Sequence, residues 1–352
     1  MSLEVSIEKQ YKNFTLSVKF DTQQASTGLL GASGCGKSLT LKCIAGIVTP
    51  DRGRIVLNNK VLFDSEQKIN LPARERKIGY MFQHYALFPN MTVSENILIA
   101  VSGKKDKKKV LDKLLQLLQI ERLRNNYPQQ LSGGEQQRVA LARMLAYEAK
   151  VLMFDEPFSA LDSFLKEQLQ QELLEVLAEY EGEILMVSHS REELYRFSEK
   201  IIIIDRGTIV EEGQKHDIFN RPTYVTSAKL TGCKNISRAV KLSDYQIKAI
   251  DWNVILRTDT PVDNEVNFVG IRAHHIQAAH NQDEENMLPV SLQGFSEGPF
   301  EKRLILKVLT EAKENKLWWI VPNPVWKREF EERIPNKITL PKEHLLLLKS
   351  IG

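Results

Sequence analysis

Short runs of consecutive apolar residues recur through the first ~230 residues: TGLL at 27–30, which runs into a glycine-rich loop, and VLMFDE at 151–156 and EILMVSH at 183–189, which end in polar or charged residues. Runs of this length read as buried strands. Helical patterns lie between them. SLTLKCIAG (38–46) predicts a helix stopped by Gly46, and LDSFLKEQLQQELLEVLAEY (161–180) sets Leu161, Leu165, Leu169, Leu173 and Leu177 on one stripe. The alternation predicts an α/β domain with a largely parallel sheet. IIIIDRGTIVEEG (201–213) predicts a hairpin turning at Arg206–Gly207. From about residue 92 the strand rhythm is interrupted by KKKVLDKLLQLLQIERL, so a helical insertion of about 92–150 is expected within a first domain of 1–234. After 235 the character changes again. YQIKAI, VNFVGI, KRLILKVL and KLWWIV are short, β-rich and separated by turn residues, predicting a second, mostly β domain over 235–352.

Composition changes this picture little. With 42% hydrophobic and 26% charged residues the chain is neither disorder-like nor fibrous, and 352 residues suit about two domains. A net charge of +3 makes no case for nucleic acid. The basic run GKKDKKK (103–109) reads as a solvated loop and helix start. No apolar stretch approaches the ~20 residues a membrane helix needs, and MSLEVSIEKQ has no secretion-signal pattern. Cys35, Cys43 and Cys233 show neither metal-ligand spacing nor a disulfide framework, which fits a reducing cytoplasm.

Two stretches look built for anions. GASGCGKS (31–38) follows a strand, opens a helix and fits the phosphate-loop pattern. Gly31, Gly34 and Gly36 let the backbone curl so that N–H groups face phosphate oxygens, Lys37 would bridge to the β/γ-phosphates, and Ser38 would hold Mg²⁺. Ala32, Ser33, Cys35 and Leu39 complete the candidate nucleotide contacts. Asp155, at the end of a strand, would sit beside that loop and hold Mg²⁺ through water. Glu156 is placed to take a proton from an attacking water, and His189, closing a third strand, could contact a γ-phosphate. The second stretch is LSGGEQQRVALARML (131–145). Ser132 and Glu135 form a capping-box pattern around Gly133 and Gly134, leaving a bare helix N-terminus that attracts anions.

The ordered set GASGCGKS, Gln83 in MFQHYALFP, LSGGEQQRVALARML, VLMFDEP, SALD and His189 resembles the ABC-transporter ATPase subunit over about residues 1–230. The resemblance implies a P-loop NTPase cassette with a mixed sheet core and a helical subdomain. It makes Gln83 the glutamine that senses Mg²⁺ or the water and faces a membrane partner, and it makes Asp162 part of the D-loop. An aromatic near the N-terminus stacks on adenine in this family; Tyr11 is the first candidate and Phe14 the second. Ser190, where Asp is common, and Leu39, where Thr is common, depart from the family pattern with little expected consequence. The family pairs two cassettes antiparallel, so Ser132 and Gly134 of one chain would face the γ-phosphate held by the other.

TGCKNISRA (231–239), VGIRAHHI (269–276), SEGPF (296–300) and PKEHLLLL (341–348) resemble the C-terminal domain of importer ATPases, a small all-β, OB-like (TOBE/MOP-type) barrel. With the terse N-terminus they resemble the molybdate/sulfate group most. What this implies is a homodimer with ATP sandwiched between subunits, two transmembrane permease subunits and, indirectly, an external solute-binding protein, at the cytoplasmic face of the membrane and without nucleic acid. ATP and Mg²⁺ are the implied cofactors. The importers of iron(III), sugars and polyamines are the related alternatives. A single cassette with Lys37 and Ser132 only 95 residues apart argues against the DNA-repair type with its long coiled coil. The appended β domain argues against an exporter, and intact Lys37, Asp155, Glu156 and His189 argue against an inactive ligand-sensing regulator.

Overall fold

Apolar–polar alternation fixes the first hairpin. In β1 (Leu3–Tyr11) and β2 (Phe14–Thr22), Leu3, Val5, Ile7, Leu16, Val18 and Phe20 are buried while the intervening residues are mostly polar and exposed. The strands pair antiparallel from Leu3↔Thr22 to Tyr11↔Phe14. The computed structural model describes residues 2–22, 26–82, 84–101, 106–159, 163–279, 284–311, 316–330 and 334–351, without the side chains of 163–165. These residues form two compact units, 1–215 and 216–352.

The first unit continues with β3 (Ser26–Leu30), α1 (Lys37–Ala45), β4 (Arg52–Leu57), β5 (Lys60–Asp64), β6 (Ile69–Asn70) and β7 (Ile78–Met81). Three helices follow, α2 (Val93–Leu98), α3 (Lys107–Leu117) and α4 (Gly133–Ala146), before the chain returns as β8 (Val151–Asp155). It ends with α5 (Ser163–Ala178), β9 (Glu183–Val187), α6 (Arg191–Phe197), β10 (Lys200–Asp205) and β11 (Thr208–Gln214). An 11-stranded sheet runs in the order β6-β5-β4-β1-β2-β11-β10-β3-β9-β8-β7. Its strands β10, β3, β9, β8 and β7 are mutually parallel, so their C-terminal ends share one edge. In open α/β sheets that edge is where ligands bind. β3, β8 and β9 are buried along their whole length, as continuous apolar runs require.

The predicted helical insertion lies between β7 and β8, which pair directly with Ile78 opposite Val151. Its helical pattern is shorter than the sequence suggests. α3 stops at Leu117, because Gln119 takes a left-handed backbone (φ 56°) and turns Ile120 fully into the core. The stripe on α5 buries Leu169, Leu173 and Leu177, whereas Leu161 and the Leu165 side chain lie outside the described residues.

The second unit opens with α7 (Lys215–Asn220), which straddles the division, and α8 (Val225–Leu230). The strands β12 (Asn235–Ser243), β13 (Gln246–Ala249), β14 (Val254–Arg257), β15 (Phe268–Ile271) and β16 (Gln277–Ala278) come next. β17 (Met287–Glu297), β18 (Glu301–Val308), β19 (Lys316–Pro322), α9 (Asn323–Glu329), β20 (Lys337–Thr339) and β21 (Leu346–Leu348) complete it. They make two five-stranded sheets, β14-β13-β12-β15-β21 and β16-β20-β17-β18-β19, around a shared apolar core. The expected division at 234/235 marks the start of these strands, but the contacts place 216–234 with them. Arg272 is the physical reason: its buried guanidinium donates to the Thr231 carbonyl (2.8 Å), the Thr231 hydroxyl (3.0 Å) and the Phe219 carbonyl. Ala228 and Cys233 also pack on Leu346 and Leu348. TGCKNIS thus has a structural use here. The Asn235 amide joins the two sheets by donating to the Trp318 carbonyl (2.8 Å) and accepting from its N–H (2.7 Å).

Candidate nucleotide site

β3 ends at Leu30, and residues 31–36 curl over its end before α1 begins at Lys37. Two glycines are sterically required. A Cβ on Gly31 would stand 2.2 Å from the Ile204 carbonyl oxygen, and Gly36 sits at φ 112°. The Lys37 side chain is only 4% exposed and folds back on this loop, its Nζ donating to the carbonyls of Gly31 (2.8 Å) and Ala32 (2.9 Å). Cys35, within this loop, is buried, and that burial pushes its thiol pKa up.

The ends of β7, β8 and β9 supply the acidic half. Asp155 accepts from the Ser38 hydroxyl at Oδ1 (2.6 Å) and from the Tyr80 hydroxyl at Oδ2 (2.8 Å). Burial first, then the adjacent carboxylate, pushes the Tyr80 phenol far above its ordinary pKa of 10, so it stays a donor. Glu156 follows with a left-handed backbone (φ 52°), a conformation that costs a non-glycine residue about 1 kcal/mol or more. Its N–H donates to the Val187 carbonyl (2.9 Å), and its own carbonyl accepts from the Ser159 N–H (3.2 Å) and hydroxyl (3.0 Å). That turn brings Glu156 Oε1 to 2.5 Å from His189 Nε2. Neighbours hold the histidine loop: Ser188 donates to the Glu193 carboxylate, Lys166 Nζ lies 2.5 Å from Glu193 Oε1, and Ser190 caps α6 by accepting from the Glu193 N–H (3.2 Å). Serine is as good a cap as aspartate, so Ser190 can fill this position.

Tyr11, Phe14, Ser33, Gly34, Gly36, Lys37, Ser38, Leu39, Glu156 and His189 line one cavity of about 450 Å³. Gly31, Ala32 and Cys35 complete the loop that frames it, and Asp155 reaches it through Ser38. The two aromatics differ in setting. Tyr11 is half-exposed at the rim, while Phe14 packs inward, its ring edge 3.1 Å from where a Gly36 Cβ would stand. Ser132, Gly133, Gly134 and Glu135 do not line this cavity. They form the N-terminus of α4, where Ser132 accepts from the Glu135 N–H (3.3 Å), the Glu135 carboxylate accepts from the Ser132 N–H (2.9 Å), and Arg122 lies 3.1 Å from that carboxylate. Gln83 and Asp162 lie outside the described residues. Sequence reasoning missed Tyr80 and the Ser188–Glu193–Lys166 network. Only the Ser190-x-x-Glu193 capping spacing could have signalled the latter.

The family model described as ABC transporter matches residues 12–159. A molybdenum import ATP-binding protein of Aliivibrio fischeri is 37% identical over 310 residues, covering 84% of this chain and 85% of that protein. The chain belongs to the ABC-transporter ATP-binding family. Its fold is the P-loop cassette of an ATPase followed by an all-β, TOBE-like domain. A spermidine/putrescine import ATP-binding protein of Clostridioides difficile is 39% identical over 239 residues, 67% of this chain and 66% of that protein. Other relatives are named for sulfate/thiosulfate and Fe(3+) import. Among solved structures, a dimeric ATP-binding cassette in a post-hydrolysis state with ADP and Pi superposes with a TM-score of 0.52 at 28% identity, covering 61% of this chain and 99% of that one. No helix among the described residues is long and apolar enough to cross a membrane.

Proposed function

We propose that this chain is the ATP-hydrolysing subunit of an importer. It works as a homodimer with ATP sandwiched between subunits, on the cytoplasmic face of the membrane, with two transmembrane permease subunits and an external solute-binding protein. The observation that carries the reading is the Glu156–His189 pair facing the Lys37–Ser38 loop across one cavity. Tyr11 offers its exposed ring to adenine, with Phe14 as the second choice. Lys37, released from the carbonyls of Gly31 and Ala32, bridges the β/γ-phosphates. Glu156 takes the proton of the attacking water, and His189 Nε2 contacts the γ-phosphate. Ser38 and Asp155 present hard oxygen donors with acceptor capacity to spare, a set that fits Mg²⁺, and Gln83 completes it. When bound, the ion supplies charge neutralisation at the phosphate oxygens.

In one chain the capped N-terminus of α4 lies outside the cavity lined by Lys37, Glu156 and His189. In an antiparallel dimer, Ser132, Gly133 and Gly134 close over the partner's γ-phosphate, with Asp162 at the same seam. The single-site test is Glu156→Gln. Hydrolysis should fall by about 10²-fold or more while ATP-dependent dimers accumulate. Hydrolysis at the parent rate in that variant rules the reading out.

For the solute, molybdate/tungstate or sulfate is the proposal, supported by a molybdenum-import relative 37% identical over 84% of this chain, although a spermidine/putrescine-import relative of Spiroplasma citri covers 88% of it at 32% identity. The alternatives are iron(III), sugar or polyamine, the last favoured by the Clostridioides difficile relative. Solute binding by the companion binding protein decides between them. A second role for the β domain, oxyanion binding that shuts the ATPase down, predicts that micromolar molybdate slows hydrolysis by the complex; unchanged hydrolysis counts against it.

A further inference from the structure

Arg143 lies in the last turn of α4, ten positions beyond Gly133 at the helix start. Its guanidinium donates to the carbonyls of Tyr85 (2.9 Å) and Ala86 (2.8 Å) and lies 5.5 Å over the centre of the Phe88 ring. The loop it grips is held in a costly form. Tyr85 (φ 55°) and Ala86 (φ 46°) are consecutive non-glycine residues with left-handed backbone. The Tyr85 ring is buried while its hydroxyl finds no partner among the described residues. The far half of the loop is fixed separately: buried Asn96 of α2 accepts from the Phe88 N–H (2.9 Å) and donates to the carbonyls of Phe88 (3.1 Å), Met91 (3.0 Å) and Thr92 (3.0 Å). Residues 84–87 therefore span two anchors, β7 on one side and Asn96 on the other, with Arg143 gripping the middle. Phe82 and Phe88 flank this span as exposed aromatic side chains.

We infer that Arg143 is a positioning residue that ties the 84–88 loop to the signature helix, so that a movement of α4 on nucleotide closure is transmitted to that loop. α4 is a single 14-residue helix of about 20 Å, and a helix transmits displacement along its axis without absorbing it. A strained loop with a bidentate clamp has a second, relaxed arrangement available once the clamp shifts, which is what a two-state element needs. The inference rests on the proposed ATP-driven dimer, whose closure acts on the N-terminus of the same helix.

The test is hydrogen exchange of the amides in residues 84–91, with and without ATP, in the full chain carrying Glu156→Gln. Dimer formation is followed in parallel by sedimentation. In that parent, ATP should change exchange at 84–91 by about tenfold. With Arg143→Met added, dimers should form at a similar ATP concentration, but exchange at 84–91 should be fast and the same with and without ATP. Arg143→Lys cannot grip both carbonyls in a fixed fork, so its response should be reduced. It also decides the matter if the methionine variant does not fold. A full ATP response at 84–91 in either variant, or dimers without any response in the parent, overturns the role of Arg143. Absence of ATP-dependent dimers in the parent overturns the dimer reading itself and the inference with it.

Discussion

Replacing Tyr80 with phenylalanine removes one oxygen and nothing else from the acidic half of the site. Asp155 is 7% exposed, and among the described residues its two oxygens have one partner each, the Ser38 hydroxyl at 2.6 Å and the Tyr80 hydroxyl at 2.8 Å. A hydrogen bond to a charged group in such a setting contributes about 1.5–3 kcal/mol. Phenylalanine keeps the ring in place, so no cavity larger than one oxygen is left. For a unit of this size each kcal/mol moves the melting temperature by roughly 2–4 °C. Tyr80→Phe should therefore lower the nucleotide-free melting temperature of the cassette by about 3–12 °C. Because burial and the Asp155 charge raise the phenol's folded-state pKa above its ordinary value of 10, its neutral form is held throughout the neutral range. The stability it gives is lost only as pH rises beyond 10. The difference between parent and variant should accordingly be the same at pH 6 and pH 8. Differential scanning calorimetry on both proteins at those two pH values measures it. A melting temperature within 1 °C of the parent would refute the assignment of Tyr80 as a partner of Asp155.

A methyl group at Gly31 meets the Ile204 carbonyl at 2.2 Å and the Cys35 sulfur at 2.5 Å. Gly31→Ala should cost about 1–3 kcal/mol of stability and abolish binding of a fluorescent ATP analogue; parent-like affinity would contradict the loop geometry. In the second unit, His275 stacks on His344 (4.0 Å between ring centres) and meets His274 edge-on (4.3 Å). Burial first, then His344, His274 and Arg272, lower its pKa from 6.5 to about 4. A folded-state pKa below the unfolded one means that the unfolded chain takes up the proton first. The stability is present above pH 6.5 and lost as pH falls toward 4, by about 1–2 kcal/mol after allowance for solvent screening. Trp252, Trp318, Trp319 and Trp326 all lie in this unit, so denaturant unfolding followed by tryptophan fluorescence reports it. His275→Gln should flatten the pH dependence, and an unchanged slope would show that another group titrates.

The cassette was legible because its parts announce themselves locally. Glycine spacing sets the 31–36 curl, and VLMFDE and EILMVSH end where the buried stretch ends, so the polar residues at those ends fall on one edge of the sheet. Tyr80 was not legible, because IGYM reads as any half-buried strand. Only the parallel register of Tyr80 with Met153 brings the phenol beside Asp155, two residues further along the same face. The Arg143 clamp was hidden for a related reason. Neither Tyr85 nor Ala86 suggests a left-handed backbone, and the arginine that holds them is 57 residues from Ala86. The boundary between units was blurred because 216–234 is helical like the cassette, while the contacts of Arg272 and Cys233 belong to the β domain.

The proposed site is completed by a second chain, and mixing two disabled chains tests that most directly. One chain carries Ser132→Arg and keeps Lys37; the other carries Lys37→Ala and keeps Ser132. Each homodimer lacks a complete site, whereas the mixed dimer has one, built from Lys37 of the first chain and Ser132 of the second. Nucleotide-dependent closure should be restored on mixing, with hydrolysis well above that of either variant alone. Closure and hydrolysis that remain as poor in the mixture as in the separate variants would contradict the composite site.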